Sequence, residues 1–212
     1  MSFKPEYIIF TDGSVRKVGK VSYAGYGCAV VDVKHQAYET FSGSLNSGSI
    51  VYCEAFAIYQ GLRWIRRLLS RTHKNHAKVL LVSDSRLNVQ ILTEWIPEKW
   101  DLSDYRDWKT SSNKPVQNQV LYRKILALLE DQKIKLGVIH INSHLKSNIE
   151  TVLKIQRKAE LSCVKLSEPV TRMMIEMNQK VDELASHESK RMQMMYETHQ
   201  VGIRLKRKEL PS

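Results

Sequence analysis

The chain has 212 residues, of which 42% are hydrophobic and 26% are charged. This composition excludes a mostly disordered chain, and the length suits one well-formed core better than two full domains. Lys and Arg number 33 against 22 Asp and Glu, a formal net charge of +11, which favours a polyanionic partner, nucleic acid before an anionic membrane surface.

Cysteine usage and hydropathy indicate the cellular compartment in which the protein is expected. Cys28, Cys53 and Cys163 are odd in number and lack CxxC spacing, which argues against a disulfide framework or a zinc site. The N-terminus shows no signal-peptide core, and no apolar stretch reaches the roughly 20 residues of a membrane span. We therefore expect a cytoplasmic, intracellular protein with no membrane partner.

The chain begins with three predicted strands. Tyr7 to Phe10 is typical of a strand, and the turn residues Gly13-Ser14 predict that this strand ends at Asp12. Tyr23 to Val33 and Gln36 to Gly43 are typical of two further strands joined by a tight connection. The pattern therefore predicts an antiparallel meander with a carboxylate at the end of its first strand.

A helical pattern follows, with an N-cap available in Ser47-Gly48-Ser49. Stepping along it at the helical period puts Glu54 in line with the apolar residues Ile58 and Ile65. A carboxylate on a buried face is costly unless it is paired or binds a metal. The opposite face carries arginines that are either a solvated surface or a binding patch.

A second apolar strand, Val79 to Val82, also ends at a carboxylate, Asp84. One aspartate after a strand is most often a simple terminator or helix cap. Asp12, Glu54 and Asp84 at one sheet edge would instead repel one another and raise their pKa values, a conflict that a divalent cation removes. Their convergence would indicate a Mg²⁺ site for phosphoryl transfer.

The segment from Trp95 to Lys114 combines tryptophans with cations. The helix before it is predicted to stop at Trp95, ahead of Pro97. Trp100 and Trp108 can stack on bases or sugars, or they can be core residues, and both interpretations stay open.

A last strand, Ile134 to Asn142, ends near His144, which is a candidate for proton transfer. A helical insertion of residues about 145–172 follows, with Lys154 and Lys158 among its basic residues. The final helix presents Asp182 as a fourth possible ligand. We expect one domain over residues 1–190, including the insertion, and a basic C-terminal tail over residues 191–212.

This order of elements resembles the type 1 ribonuclease H family. The resemblance covers residues about 5 to 144 and about 174 to 188. The matching motifs are Thr11-Asp12-Gly13-Ser14, helical Glu54, Ser83-Asp84-Ser85, Asp107-Trp108-Lys109-Thr110, Lys114-Pro115-Val116-Gln117-Asn118, His144, and Asn178 with Val181-Asp182-Glu183-Leu184-Ala185.

The resemblance implies a ribonuclease H-like α/β fold: a mixed five-stranded sheet, with strands 1 to 3 antiparallel and strands 4 and 5 parallel, flanked by helices. It implies an endonuclease that hydrolyses the RNA strand of RNA/DNA hybrids. Asp12, Glu54, Asp84 and Asp182 would hold two Mg²⁺ ions, or Mn²⁺, and His144 would assist proton movement or product release. Substrate contacts are expected from Gly13, Ser14, Ser85, Trp100, Trp108, Lys109, Lys114 and Asn118.

Departures from the family pattern keep alternatives open. Ile50-Val51-Tyr52-Cys53 stands where the family has asparagines that contact the minor groove of the hybrid. One alternative is therefore a related nuclease with broader substrate choice, and another is a non-catalytic module that binds nucleic acid. We expect a monomer, and the insertion is a lid, a substrate clamp or a surface for a protein partner that the sequence does not identify.

Overall fold

A five-stranded mixed sheet with the order β3-β2-β1-β4-β5 forms the centre of the structure. The computed structural model describes residues 3–46, 48–100, 108–146 and 148–208, apart from the side chains of residues 99 and 200–208. The strands are β1 (Tyr7–Val18), β2 (Val21–Asp32), β3 (Ala37–Leu45), β4 (Ala77–Ser83) and β5 (Ile134–His140). Strands β1 to β3 are antiparallel, and β4 and β5 run parallel to β1. The predicted fold class is confirmed.

The helices follow the predicted order. They are α1 (Ile50–Arg71), α2 (Arg86–Gln90), a π-helical turn (Ile91–Trp95), α3 (Ile96–Lys99), α4 (Gln119–Asp131), α5 (Ile149–Leu161) and α6 (Glu168–Lys208). Ser49 is the N-cap of α1, and its side chain accepts a hydrogen bond from the backbone N–H of Tyr52, as the cap pattern predicted. In the part of the chain that the structure describes, no helix is both long and apolar enough to cross a membrane.

Each face of the sheet has its own hydrophobic core. Alternation along β1 directs Ile9 toward the core built with α1 and α4, while Ile8 and Phe10 face the core built with α5 and α6. The continuous apolar strands β1 and β4 are buried on both faces for this reason. Because helices pack on both faces, the sheet edge at which the carboxylates lie is held in a fixed position.

The prediction that β1 ends at Asp12 is wrong. β1 continues to Val18, because its pairing with β2 runs on to Val18 and Val21. Pairing with β4, however, stops at Thr11 and Ser83. Asp12 therefore lies inside a strand but just beyond the carboxyl end of β4, where its side chain meets the sheet edge.

The helix predicted to stop before Pro97 also continues further. Ile91–Trp95 forms a π-helical turn, and α3 follows to Lys99. Pro97 lies in the first turn of α3, where the missing N–H of proline leaves no helical hydrogen bond unmade. Pro97 is thus accommodated where the π-helical turn passes into α3, and it does not end the helical run.

The insertion is part of the second core. Val152, Ile155 and Ala159 of α5 are buried in the cluster that contains Phe10 and Ile175. Beyond α5, a parallel bridge joins Val164 to Phe3, and α6 begins at Glu168, within the residues about 145–172 expected to form the insertion.

The final helix α6 runs without a break from Glu168 to Lys208, across residue 190, where we expected the basic tail to follow the domain. That division stays a prediction. Residues 209–212 of the predicted tail lie outside the described residues.

Close approach of α6 to β2 depends on glycine. A Cβ atom added at Gly27 would lie 2.2 Å from the carbonyl oxygen of Val181 and 3.0 Å from the backbone nitrogen of Ala185. Real Cβ atoms do not approach backbone atoms so closely, so any larger residue would displace α6. Gly27 therefore sets the position of the helix that carries Asp182.

Gly27→Ala should lower the free energy of unfolding by about 3 kcal/mol, because the neighbour is rigid backbone rather than a movable side chain. Gly137→Ala in β5 is the matched control, since its Cβ would meet only the Phe3 ring at 3.0 Å, and its cost should stay within about 1 kcal/mol. Urea unfolding followed by circular dichroism measures both. Equal effects of the two substitutions would contradict the argument.

Candidate active site

Three carboxylates converge at the sheet edge. Asp12 comes from β1, Glu54 from the N-terminal part of α1, and Asp84 from the residue after β4. One carboxylate oxygen of each lies within 4.8 Å of the other two. The convergence predicted from the sequence is therefore present, and it forms what we call the acidic cluster.

Gly13 allows Glu54 to approach Asp12. A Cβ at Gly13 would lie 2.7 Å from the backbone nitrogen of Glu54 and 2.9 Å from the Cβ of Cys53. The backbone N–H of Gly13 also donates to Asp12 Oδ1 at 2.7 Å. Gly13 thus packs β1 against α1 and fixes the Asp12 carboxylate, while its expected substrate contact stays a prediction.

Hydrogen bonds from two neighbouring side chains hold Glu54 in place. Ser85 Oγ donates to Glu54 Oε2, and Asn88 Nδ2 donates to the same oxygen at 3.1 Å. Tyr122 OH in turn donates to Asn88 Oδ1 at 2.6 Å. The acidic cluster is therefore supported by a buried polar network that reaches into α4.

Sequence reasoning missed Asn88 and Tyr122. Asn88 is fully buried in the first helix after Asp84, where a polar residue needs a partner. That placement was the only signal available, because Tyr122 looks like an ordinary apolar position of α4. Ser85, expected to contact substrate, orients Glu54 in this structure.

Burial and mutual repulsion disfavour charge in the acidic cluster. Burial, and next the charge of Asp84, raise the pKa of Asp12 to about 8. Burial is also the largest cause that raises the pKa of Glu54 and the pKa of Asp84. Among the described groups, buried Asp84 Oδ1 has no hydrogen-bond partner.

This donor set fits a hard divalent cation. Crowded carboxylates offer the oxygen ligands that such ions take, and Asp84 Oδ1 is a buried oxygen with no protein donor to satisfy it. A bound cation would offset both the burial and the repulsion that raise the pKa values of the three carboxyl groups. The acidic cluster therefore has the chemistry of a metal-dependent active site.

Asp182 and His144 lie together beside the acidic cluster. His144 Nδ1 is 3.6 Å from Asp182 Oδ2, with side-chain exposures of 80% and 40%. The charge of Asp182 contributes to the raised pKa of Asp12 and of Asp84. Asp182 thus acts on the cluster electrostatically from its more exposed side, and its role as a ligand stays a prediction.

The predicted substrate residues divide between core and surface. Trp100 and Trp108 are 8% and 5% exposed, and their rings stack with centroids 5.2 Å apart. The core interpretation describes both tryptophans in this structure. Ser14 lies on the α6 side, where its hydroxyl is 2.9 Å from Ser189 Oγ.

Two lysines among these residues are exposed. Lys109 and Lys114 belong to a small hairpin closed by a bridge between Lys109 and Pro115. Asn118 has φ 61° and caps α4 through its carbonyl oxygen. Residues 101–107, which include Asp107 of the motif Asp107-Trp108-Lys109-Thr110, lie outside the described residues.

Comparisons with known proteins agree with this site. A family model described as RNase H matches residues 4–190. Ribonuclease H of Klebsiella pneumoniae subsp. pneumoniae is 33% identical over 127 residues, which cover 60% of this chain and 72% of that protein. The chain therefore belongs to the RNase H family, and its acidic cluster is consistent with the active site of a ribonuclease H.

Solved structures share the fold at low identity. LC11-RNase H1, isolated from compost, matches with a TM-score of 0.53 and 17% identity, covering 88% of this chain and 97% of that one. A foamy viral protease-reverse transcriptase in complex with RNA/DNA hybrid matches with a TM-score of 0.61 and 17% identity. That match covers 87% of this chain but only 20% of the much longer viral chain.

Stability without metal should fall as pH rises. Because the pKa of Asp12 is raised to about 8, folded Asp12 keeps a proton that the unfolded chain releases near pH 4. Its favourable contribution is fully present below about pH 4 and is lost as pH rises through about 8, at up to about 1.4 kcal/mol per pH unit.

Asp12→Asn removes this titration and should be more stable than the wild type at pH 8 in EDTA. Exposed Asp131 offers a control, because Asp131→Asn should keep the wild-type pH dependence. Urea unfolding at pH 5 and pH 8 compares the three proteins. Equal stability of Asp12→Asn and wild type at pH 8 would show that Asp12 is not strained by its neighbours.

Tyr122→Phe should loosen Glu54 by leaving Asn88 Oδ1 without its donor. We expect a loss of stability of about 1–2 kcal/mol and an affinity for Mn²⁺ weakened about tenfold. Half-buried Tyr59 provides the control substitution Tyr59→Phe. Isothermal titration calorimetry gives the affinities, and a Tyr122→Phe affinity equal to that of the control counts against the network.

Proposed function

We propose that this chain hydrolyses the RNA strand of RNA/DNA hybrids as an endonuclease that uses two Mg²⁺ ions. The acidic cluster carries this proposal, because three carboxylate oxygens within 4.8 Å next to an unpartnered buried oxygen are costly without bound cations. The proposed ligands are Asp12, Glu54, Asp84 and Asp182. Mn²⁺ is an acceptable substitute, since both ions take oxygen ligands.

Bound metal ions would supply Lewis-acid stabilisation of the phosphate and a water made nucleophilic at neutral pH. The protein groups contribute position and charge. Asp12 and Asp84 hold rigid oxygens at the sheet edge, and Ser85 with Asn88 fixes the rotamer of Glu54. His144, beside Asp182 and 80% exposed, can move a proton at the side where the site opens to solvent.

Charge and fold support a nucleic-acid substrate. The net charge of +11 suits a polyanion, and exposed Lys109 and Lys114 offer phosphate contacts from a hairpin next to the tryptophan core. A structural neighbour, the foamy viral protein, was solved in complex with an RNA/DNA hybrid. We propose that this chain binds the same class of duplex as a monomer in the cytoplasm.

A nuclease with broader substrate choice is the second candidate. The start of α1 beside Glu54 carries Ile50 and Val51, apolar side chains that cannot hydrogen-bond a ribose 2′-hydroxyl or a base edge. Ile50 is 41% exposed. Readout of the 2′-hydroxyl, which distinguishes RNA from DNA, would then depend on other groups of this chain.

Cleavage of labelled duplexes tests the proposal. Wild type in Mg²⁺ should cut the RNA strand of an RNA/DNA hybrid, and Asp12→Asn should reduce the rate by at least about a thousandfold, because a metal ligand is lost. Asp131→Asn, a surface carboxylate removed from α4, should keep the wild-type rate.

Duplex RNA, duplex DNA and single-stranded RNA run beside the hybrid separate the candidates. Cutting of the hybrid alone supports strict selectivity, and comparable cutting of other duplexes supports the broader nuclease. Binding of hybrid without cutting in Mg²⁺ or Mn²⁺ would replace both with a non-catalytic module.

A further inference from the structure

A cavity lies beside the acidic cluster, between the end of β5 and the insertion. Its volume is about 220 Å³, and it is open to solvent. The polar side chains on its walls are His140, Asn142, Thr151, Lys154 and Lys158. Two of the five are lysines from α5, so the insertion supplies most of the positive charge of this cavity.

Lys158 is connected to the acidic cluster through one imidazole ring. Lys158 Nζ lies 3.2 Å from His140 Nδ1, and His140 Nε2 lies 3.1 Å from the carbonyl oxygen of Asp84. An ammonium only donates, so His140 Nδ1 accepts and Nε2–H donates to the carbonyl. The neutral ring thus places the lysine at the border of the cluster.

The charge of Lys158 is not neutralised by the protein. Among the described side chains, no carboxylate lies within ion-pair distance of Lys158, whereas Lys154 pairs with Glu150 at 2.6 Å. Partial loss of hydration, and then the charge of Arg86, lower the pKa of Lys158, although its side chain is exposed. The charges of Lys158 and Arg86 thus repel one another, and an anion bound beside Lys158 would offset that repulsion.

We propose that Lys158 and this cavity form a subsite for a backbone phosphate of the nucleic-acid substrate, adjacent to the phosphate that is cleaved. The subsite rests on the proposed function, and it gives the insertion the role of a substrate clamp.

The chemistry of the cavity suits a phosphate. Lys158 supplies charge, while the Asn142 amide and the Thr151 hydroxyl offer neutral donors on the same walls. Exposed Arg86 adds a second cation nearby. A polyanion entering the acidic cluster meets repulsion, and a cation at its border offsets that repulsion where the backbone passes.

Neutralising single phosphates tests the subsite. A set of RNA/DNA hybrids, each carrying one methylphosphonate, is bound to the full chain with Asp12→Asn in EDTA, so that no strand is cut. One position should weaken binding about fivefold when neutralised, as expected for one lost charged contact.

The same experiment with Lys158→Gln identifies the contact. The unmodified hybrid should bind about fivefold more weakly, and neutralising that position should have no further effect. The slope of log affinity against log salt should also fall by about 0.9, the value for one phosphate. Lys158→Arg, which keeps the charge, should restore the wild-type profile.

Lys165→Gln is the matched control, because Lys165 is an exposed lysine beyond the end of α5 and does not line the cavity. The Lys165→Gln variant should still bind the hybrid about fivefold more weakly when that one phosphate is neutralised. If neutralising that phosphate also weakens binding to Lys158→Gln, the subsite is wrong, whether or not the wild type cleaves the hybrid. If the sensitive position depends on Lys158 but the wild type cuts no hybrid in Mg²⁺, the subsite stands and the proposed function fails.

Discussion

Three carboxylates crowded at one sheet edge repel one another, and the elements around them hold them together despite that repulsion. Oxygens of Asp12, Glu54 and Asp84 within 4.8 Å of one another cannot all be charged at low cost without a cation. The protein holds them there with a sheet edge, a helix and a hydrogen-bonded network. The carboxylates therefore lower the stability of the metal-free protein, but they already have the arrangement that a metal ion requires. Such arrangements are common at catalytic centres.

Backbone proximity makes this arrangement possible. Gly13 lets α1 lie against β1 so that Glu54 reaches Asp12, and Gly27 lets α6 lie against β2 so that Asp182 stands beside them. The insertion adds α5 to the same core as α6 and brings Lys158 to His140 at the border of the cluster. Helix α5 therefore contributes both to the hydrophobic core and to the charge beside the acidic cluster.

Sequence patterns predicted the antiparallel strands and the three converging acids, because apolar runs that end in carboxylates indicate both strands and sheet-edge acids, while the mixed five-stranded sheet was an expectation from the family resemblance. The patterns failed at Asp12, where the turn residues after the apolar run lie inside a long hairpin, and at Pro97, which does not end the helical run. Asn88 and Tyr122 could not be predicted, since their hydrogen bond joins residues 34 positions apart. The Lys158 cavity also depends on tertiary placement, because nothing local distinguishes this lysine from others of α5.

Anomalous diffraction from crystals of the wild type soaked in Mn²⁺ would show whether the acidic cluster binds a divalent cation. We predict a manganese peak between the carboxylates of Asp12, Glu54 and Asp84, with Asp84 Oδ1 as a ligand, and no peak there in Asp12→Asn crystals. Absence of the peak in the wild type, at a Mn²⁺ concentration that occupies other sites on the protein, would contradict it. The crowded carboxylates would then need another means of stabilisation, and the metal-dependent nuclease would lose its structural basis.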